Sequence, residues 1–130
     1  GTHNAQPYAI AASRATLEIL QAGGIDRLYE LGEMVREGLR KAIRDTKTKA
    51  VVAGIGSSWI VYFRDQPPQN FREALDGDSD RASRYSLAMR DAGVIEPLGA
   101  HGDRRLCLAT TENDVKEATE AATWAFKNIA

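Results

Sequence analysis

The chain has 130 residues, 43% of them hydrophobic, which is enough for one core and too short for two comfortable ones. Its 17 basic and 18 acidic residues give a formal net charge of -1, with no basic excess that would favour nucleic acid. The single cysteine, Cys107, excludes an internal disulfide, and its apolar neighbours predict a buried thiol. No apolar run approaches the roughly 18 residues of a membrane span and no secretory leader precedes the first helix, so we expect one cytoplasmic domain over residues 1–130.

A polar segment opens the chain and leads into the first helix. Residues 1–7 read Gly-Thr-His-Asn-Ala-Gln-Pro. The unpaired amides of a helix N-terminus, together with the hydroxyl of Thr2, favour an anion such as a phosphate. On spacing alone the plainer alternative is stronger, namely that Asn4 or Gln6 caps the helix and Pro7 begins it.

The first helix is predicted over about residues 7–21, and Gly23 and Gly24 follow it as a stop signal. One face is small and alanine-rich, and a second stripe is apolar. Such a broad apolar surface is more than one short neighbour covers, so the helix either lies centrally in the domain or meets a surface outside this sequence. Because the chain starts directly on the polar segment, we expect it to be a piece of a longer protein.

The second helix has the clearest pattern. Apolar residues recur at three- and four-residue spacing on one stripe: Ile25, Leu28, Leu31, Val35, Leu39 and Ile43. Gly32 and Gly38 interrupt the pattern, each at a cost of about 1 kcal/mol relative to alanine. The rest of the helix surface is charged and predicts a solvated face with ion pairs Glu33–Arg36 and Glu37–Lys41. We expect no binding or catalytic site on this face.

Two strands follow, over residues 50–55 and 59–63, joined by Gly56-Ser57-Ser58. A nucleotide-binding loop at Gly54-Ile55-Gly56 is rejected, because a strand rather than a helix follows it. A hairpin whose glycines allow a turn or a close approach is expected instead.

After a proline-containing loop, residues 71–75 are predicted to form a helical turn and residues 79–91 a third long helix. The three aspartates of residues 76–80 do not fit a calcium loop, because its sixth position is Arg81 and its twelfth is Leu87. We therefore interpret them as a helix start capped by Asp78 or Ser79.

The last third of the chain contains two short predicted strands, over residues 94–96 and 104–109, and a final helix that Thr111 and Asp114 open as a capping box. The whole order of elements predicts an α/β sandwich, in which helices lie on one face of a small, mostly antiparallel sheet.

Catalytic chemistry does not emerge from these residues. One cysteine and the two histidines, His3 and His101, support neither a nucleophilic pair nor a metal site. Arg104 and Arg105, close to His101, could clamp a carboxylate or phosphate, although neighbouring strand residues point to opposite faces. The plainer alternative is an edge strand protected by charge.

Taken together, several motifs resemble class III pyridoxal-phosphate aminotransferases, and the glutamate-1-semialdehyde aminomutase-like branch most closely. They are the Gly1-Thr2 segment with the helix after it, Leu31-Gly32-Glu33, Arg36-Glu37-Gly38-Leu39, Gly54-Ile55-Gly56-Ser57 and Thr111-Glu112-Asn113-Asp114-Val115. The resemblance in the order of these motifs extends over essentially the whole chain. One departure is the run Gly99-Ala100-His101-Gly102, where that branch has an aromatic-glutamate pair, so the substrate is left open.

The resemblance implies the C-terminal part of a fold-type-I enzyme, mainly its small domain with the helix that leads into it. It implies that Gly1 and Thr2 contact the phosphate of pyridoxal 5'-phosphate across a homodimer. His101, Arg104 and Arg105 become candidates for contact with an amino-acid or amino-ketone substrate. The lysine that carries the cofactor lies upstream of Gly1 in this family, so the chain alone is expected to bind no cofactor and to catalyse nothing.

The alternative is a stand-alone, non-catalytic α/β module for binding or oligomerisation, derived from such an enzyme. The reading frame upstream of Gly1 distinguishes the two: a lysine-bearing pyridoxal-phosphate domain supports the enzyme, and a stop codon supports the module.

Overall fold

A small antiparallel sheet with helices packed around it forms the structure, a computed structural model that describes residues 1, 4–99 and 102–129. In chain order the elements are helix α1 (Pro7–Ile19), a π-helical segment (Leu20–Gly24), helix α2 (Ile25–Thr46), strands β1 (Val51–Ile55) and β2 (Ser58–Tyr62), helices α3 (Phe71–Leu75) and α4 (Ser79–Asp91), strand β3 (Arg104–Arg105) and helix α5 (Glu112–Asn128). The fold class expected from the sequence is confirmed. No helix in these described ranges has both the length and the apolar character needed to cross a membrane.

Strand β2 is the centre of the sheet, whose order is β1-β2-β3. The predicted hairpin is confirmed: Ile55 pairs with Ser58, and Gly56 turns the chain with a φ of 58°. Strand β3 pairs antiparallel with β2 and is only two residues long, shorter than expected. The chain leaves the sheet there because a turn follows, in which the amide of Thr110 donates to the carbonyl of Cys107 at 3.1 Å. The strand predicted over residues 94–96 is not formed.

The core lies between α2, α4, α5 and β2. On α2 the predicted stripe is buried at Leu31, Val35 and Leu39. At the centre, the ring of Tyr85 on α4 stacks on that of Phe126 on α5 with a centroid distance of 4.7 Å. Phe63 contacts both rings, at 5.6 Å from Tyr85 and 6.2 Å from Phe126. Three aromatic rings from three parts of the chain therefore join the helices to the sheet.

Helix α1 differs from the others, because none of its residues is buried. Leu17 and Ile19 are 56% and 58% exposed, and Tyr8 is 72% exposed. The helix joins the body through a kink at which Gly23 has a φ of 103°, a left-handed conformation that favours glycine. A central position for this helix, one of the two alternatives from the sequence, is therefore wrong.

Helix α2 and the hairpin approach each other unusually closely. A Cβ atom built on Gly32 would lie 1.9 Å from the carbonyl oxygen of Gly56. Next to this contact, Nη1 of Arg36 donates to the same oxygen at 2.6 Å, and Nη2 donates to Glu33 at 2.8 Å. Arg36 is only 5% exposed, so the expectation of a fully solvated charged face is wrong at this position. The predicted pair of Glu33 with Arg36 is confirmed.

The helix starts follow the sequence signals. The carboxylate of Asp78 accepts from the amide of Arg81 at 2.8 Å, and α4 has the predicted bounds. At α5 the capping box is confirmed, because the Thr111 hydroxyl accepts from the amide of Asp114 and the Asp114 carboxylate accepts from the amide of Thr111. Elsewhere on α2, Glu37 pairs with Arg40 and Arg44 rather than with Lys41.

The close approach at Gly32 gives a stability prediction. Gly32→Ala should lower the free energy of unfolding by about 2 kcal/mol, because overpacking against a backbone carbonyl outweighs the better helix propensity of alanine. Gly38→Ala in the same helix is the matched control. Its Cβ would lie 2.4 Å from the Cγ2 of Thr119, a half-exposed side chain that can shift more readily than the backbone carbonyl of Gly56. Urea unfolding of both variants measures the difference, and equal effects would contradict the interpretation.

Candidate functional site

Arg104 and Arg105, two of the three residues proposed for substrate contact, border a groove of about 600 Å³. It lies where β2 and β3 meet α2, α4 and α5, and its walls include Trp59, Glu96, Arg104, Arg105 and Glu117. Apolar side chains from the helices form much of the lining, among them Val35, Leu39, Met89 and Val115. A concave, mainly apolar site with a few polar groups is the usual form of a small-molecule site. His101 lies outside the described residues.

Arg104 is buried in this groove and fully engaged. Its Nε donates to Oε2 of Glu96 at 2.8 Å, its Nη2 donates to Oε1 of the same carboxylate, and its Nη1 donates to the carbonyl of Gly102 at 2.8 Å. The two side chains of the pair are 6% and 7% exposed. The Ser86 hydroxyl on α4 lies 3.2 Å from each of three acceptors, Glu96 Oε1, the carbonyl of Pro97 and the carbonyl of Ala82, so its one hydrogen is shared between this corner and its own helix. This bidentate ion pair holds the loop before β3 against the helices.

Electrostatics at this corner favour the charged pair. Burial alone would lower the pKa of the Arg104 guanidinium, but hydrogen bonds and attraction from Glu96 leave that pKa above its ordinary value. The guanidinium also lies over the ring of Tyr85, 5.9 Å from its centroid. Burial, and then the charge of Glu96, raise the pKa of the Tyr85 hydroxyl. Tyr85 is therefore neutral at any physiological pH.

Arg105 lies on the opposite face of β3, as the alternation of a strand predicts, and its side chain is 74% exposed. Its Nε donates to Oδ2 of Asp103 at 2.7 Å, and Oδ1 of Asp103 accepts from the Ser58 hydroxyl at 2.7 Å. These two interactions, with Ser58 first, hold the pKa of Asp103 below its usual range. The carboxylate thus orients Arg105 at the surface and ties it to the hairpin.

The N-terminal candidates are only partly described. Thr2 and His3 lie outside the described residues, whereas Gly1 is exposed and its carbonyl accepts from the amide of Asn4 at 3.0 Å. Gln6 occupies the N-cap position of α1 without a side-chain cap hydrogen bond, and Pro7 begins the helix. Gln6 and Pro7 therefore occupy the positions that the capping alternative gives them, although the Gln6 side chain supplies no cap hydrogen bond.

Cys107 corrects another expectation, because its thiol is exposed rather than buried. It follows the end of β3 and precedes the turn at residues 108–109. Hydrogen bonds from the amide of Ala109 and then from the Thr110 hydroxyl lower the pKa of the thiol.

Two polar residues central to this region were missed by the sequence reasoning. The sequence places Glu96 in a predicted strand. The only signal that it pairs with Arg104 is that an acid and a base stand on either side of a short loop. Arg36 was assigned to a solvated face. The glycines inside the α2 pattern were the available signal there, since a glycine in a helix often marks a close backbone approach.

Comparison with known proteins places these features in a family context. No family model matches the chain. It is similar to the glutamate-1-semialdehyde 2,1-aminomutase of Desulfatibacillum aliphaticivorans, at 33% identity over 94% of the chain and 29% of that protein. The aminomutase of Methanothrix thermoacetophila is 37% identical over 73% of the chain and 22% of that protein. The aminomutase of Thermomicrobium roseum is 30% identical over 100% of the chain and 30% of that protein.

Solved structures show the same fold. An omega-transaminase from Sphaerobacter thermophilus superposes with a TM-score of 0.81 at 20% identity, over 99% of the chain and 30% of that protein. A structure described as a transaminase with PLP bound gives a TM-score of 0.79 at 21% identity, over 99% of the chain and 29% of that protein. The chain therefore spans less than a third of the length of these relatives.

The buried pair of Glu96 and Arg104 should contribute more to stability than an exposed ion pair does. Glu96→Gln should lower the free energy of unfolding by about 3 kcal/mol, because it leaves the guanidinium of Arg104 buried without its counter-charge. Glu120→Gln is the matched control, since Glu120 faces Lys116 in an exposed pair on α5 and should cost less than about 0.5 kcal/mol. Chemical unfolding followed by tryptophan fluorescence measures both. A Glu96 variant as stable as the control would show that the pair is not a structural lock.

Proposed function

Because the chain is a partial class III aminotransferase-like region, we propose that it is the C-terminal portion of a pyridoxal-phosphate-dependent aminotransferase or aminomutase-like enzyme. In this role it contributes a contact to the cofactor phosphate and part of a homodimer, acts in the cytoplasm, and does not catalyse alone. The observation that carries the proposal is the 33% identity to an aminomutase along 94% of the chain.

The start of α1 supports the phosphate contact. Its N-cap residue supplies no side-chain cap hydrogen bond, and Asn4, Ala5, Pro7 and Tyr8 are exposed, so backbone amides there are chemically suited to phosphate oxygens. We propose that Gly1 and Thr2 complete this contact, with the Thr2 hydroxyl as a donor. When bound, the cofactor supplies an electron sink for chemistry at the amino-bearing carbon. The chain's own part is to hold and orient the phosphate.

The groove beside β3 supports a substrate contact, for which we propose His101, Arg104 and Arg105. Arg105 has the exposed guanidinium, with Asp103 fixing its Nε. Arg104 would have to exchange Glu96 for a substrate carboxylate, so its main contribution is to hold β3 in place. An amino-acid or amino-ketone substrate of the parent enzyme carries the kind of polar group that an arginine binds.

The phosphate contact is testable in the full-length protein encoded by the reading frame that contains this chain. Thr2→Val should weaken pyridoxal-phosphate affinity at least about tenfold, because it removes one hydrogen bond to a charged group. The matched control is Thr16→Val, since the Thr16 hydroxyl donates to the carbonyl of Ala12 on the exposed surface of α1. Cofactor affinity is measured by absorbance after stepwise removal of free cofactor. Equal affinities in the two variants would contradict the phosphate contact.

Self-association follows from the exposed surface of α1. The isolated chain should form dimers or larger species through Ile10 and Leu17, which lie two turns apart on one helix face and are both exposed, because an exposed apolar helix face gains free energy by being covered. Sedimentation velocity across a concentration series measures this. Leu17→Glu should shift the distribution to monomer, whereas Ile95→Glu, at a residue 88% exposed outside α1, should leave it unchanged. A monomer at every concentration would contradict the prediction.

A further inference from the structure

A second cavity, of about 460 Å³, has no lining residue in common with the groove beside β3. It is formed by the loop after β2 and the first turn of α4, and we name it the Arg81 pocket. Its lining includes Lys49, Phe63, Arg64, Asp76, Asp78 and Arg81. The amide of Asp78 donates to the carbonyl of Phe63 at 3.2 Å, which ties the two walls together.

Arg81 presents its guanidinium to this pocket. The group lies over the ring of Phe63, 5.9 Å from the centroid, and stacking of this kind leaves the in-plane N–H donors available. Its Nε is buried and has no hydrogen-bond partner within the described residues. Removing such a donor from water without a partner costs free energy, so an acceptor in the pocket would stabilise this side chain.

Arg64 is the second cation of the pocket. It is half-buried, and its Nη1 donates to the carbonyl of Glu73 at the end of α3. That bond fixes one edge of the guanidinium and leaves the charge itself without a carboxylate within ion-pair distance in the described part of the chain.

These two arginines differ from the other arginines that are buried or half-buried. Arg36 pairs with Glu33, Arg40 with Glu33 and Glu37, Arg27 with Glu30 and Glu112, and Arg104 with Glu96. The protein thus supplies a carboxylate wherever a guanidinium loses water, except where Arg64 and Arg81 share one cavity. A carboxylate from outside the chain would complete the same pattern.

The acidic residues around the pocket limit what can enter. Asp65 is paired with Lys49 at 2.9 Å, and Oδ1 of Asp78 is used by the amide of Arg81. Together with Asp76 they balance the three cations of the lining, Lys49, Arg64 and Arg81, so the pocket has no net positive charge to attract dianions or polyphosphates. A ligand with one negative charge and a planar pair of oxygens fits both the guanidinium geometry and this surrounding field.

We propose that the Arg81 pocket binds a small monocarboxylate between the guanidinium groups of Arg64 and Arg81. This site is separate from the groove beside β3 and does not depend on the function proposed above.

The probe is acetate, added to the isotopically labelled chain in an NMR titration, with sodium chloride at equal ionic strength as the reference. Acetate should cause saturable shifts of the amides of Arg64, Gly77 and Arg81. Arg81→Gln should weaken binding at least about tenfold, because it removes a charge-assisted hydrogen-bonded contact. Arg84→Gln, at an exposed position on the same helix, should change the affinity by less than about twofold.

Two further measurements distinguish a monocarboxylate site from a phosphate site. Asp76→Asn should tighten acetate binding, because it removes a repelling charge, and inorganic phosphate should bind more weakly than acetate. Phosphate binding tighter than acetate, or weaker acetate binding in Asp76→Asn, would overturn the monocarboxylate assignment. Arg64→Gln provides a second test of the arginine pair should Arg81→Gln lose its fold, and acetate shifts that persist in it would overturn the proposal.

Discussion

The buried pair of Arg104 and Glu96 holds together the part of the structure that carries the candidate substrate site. Strand β3 has only two residues and few sheet hydrogen bonds, so pairing with β2 alone would hold it weakly. The pair adds a forked, desolvated contact that draws the loop before β3 against α4, where Ser86 joins it. Because Arg104 and Arg105 are adjacent in β3, fixing Arg104 in the core also fixes the direction in which Arg105 points. The position of an exposed side chain thus depends on a buried one.

A similar constraint governs the hairpin turn, which lies at the same end of the sheet as β3. Gly32 lets α2 approach the hairpin until its backbone nearly meets the carbonyl of Gly56, and Arg36 satisfies that carbonyl from within the same helix. Ser58, next along the hairpin, donates to Asp103, which in turn holds Arg105. The helix, the hairpin and β3 are therefore joined by polar contacts as well as by apolar packing.

The sequence predicted the elements whose signals are local. The apolar stripe of α2, the cap at Asp78, the capping box at Thr111 and the glycine turn of the hairpin depend on neighbouring residues, and all are confirmed. Two local predictions are wrong, the strand over residues 94–96 and the side-chain cap at Gln6, and the other errors concern contacts between distant parts of the chain. Near Glu96 the sequence offers only an acid and a base on either side of a short loop. Near Arg36 it offers only the glycines inside α2, which do not show that the guanidinium donates to a carbonyl of another element. For the same reason the Arg81 pocket has no signature in the sequence, since its two arginines lie on different elements.

Helix α1 has a thermodynamic consequence of its own. With no buried residue and a kinked connection to the body, it belongs to the segments that open locally at little free-energy cost, well below the cost of global unfolding. Suppose that a second subunit packs against α1 and that the first turn of α1 holds the cofactor phosphate. Subunit association and cofactor binding would then both require α1 to be ordered, and whichever came first would already have met the free-energy cost of ordering it. Each would strengthen the other by an equal factor, as linkage requires. Cofactor affinity would then rise with protein concentration, and a substitution on a surface far from the phosphate would act as a cofactor-affinity mutation.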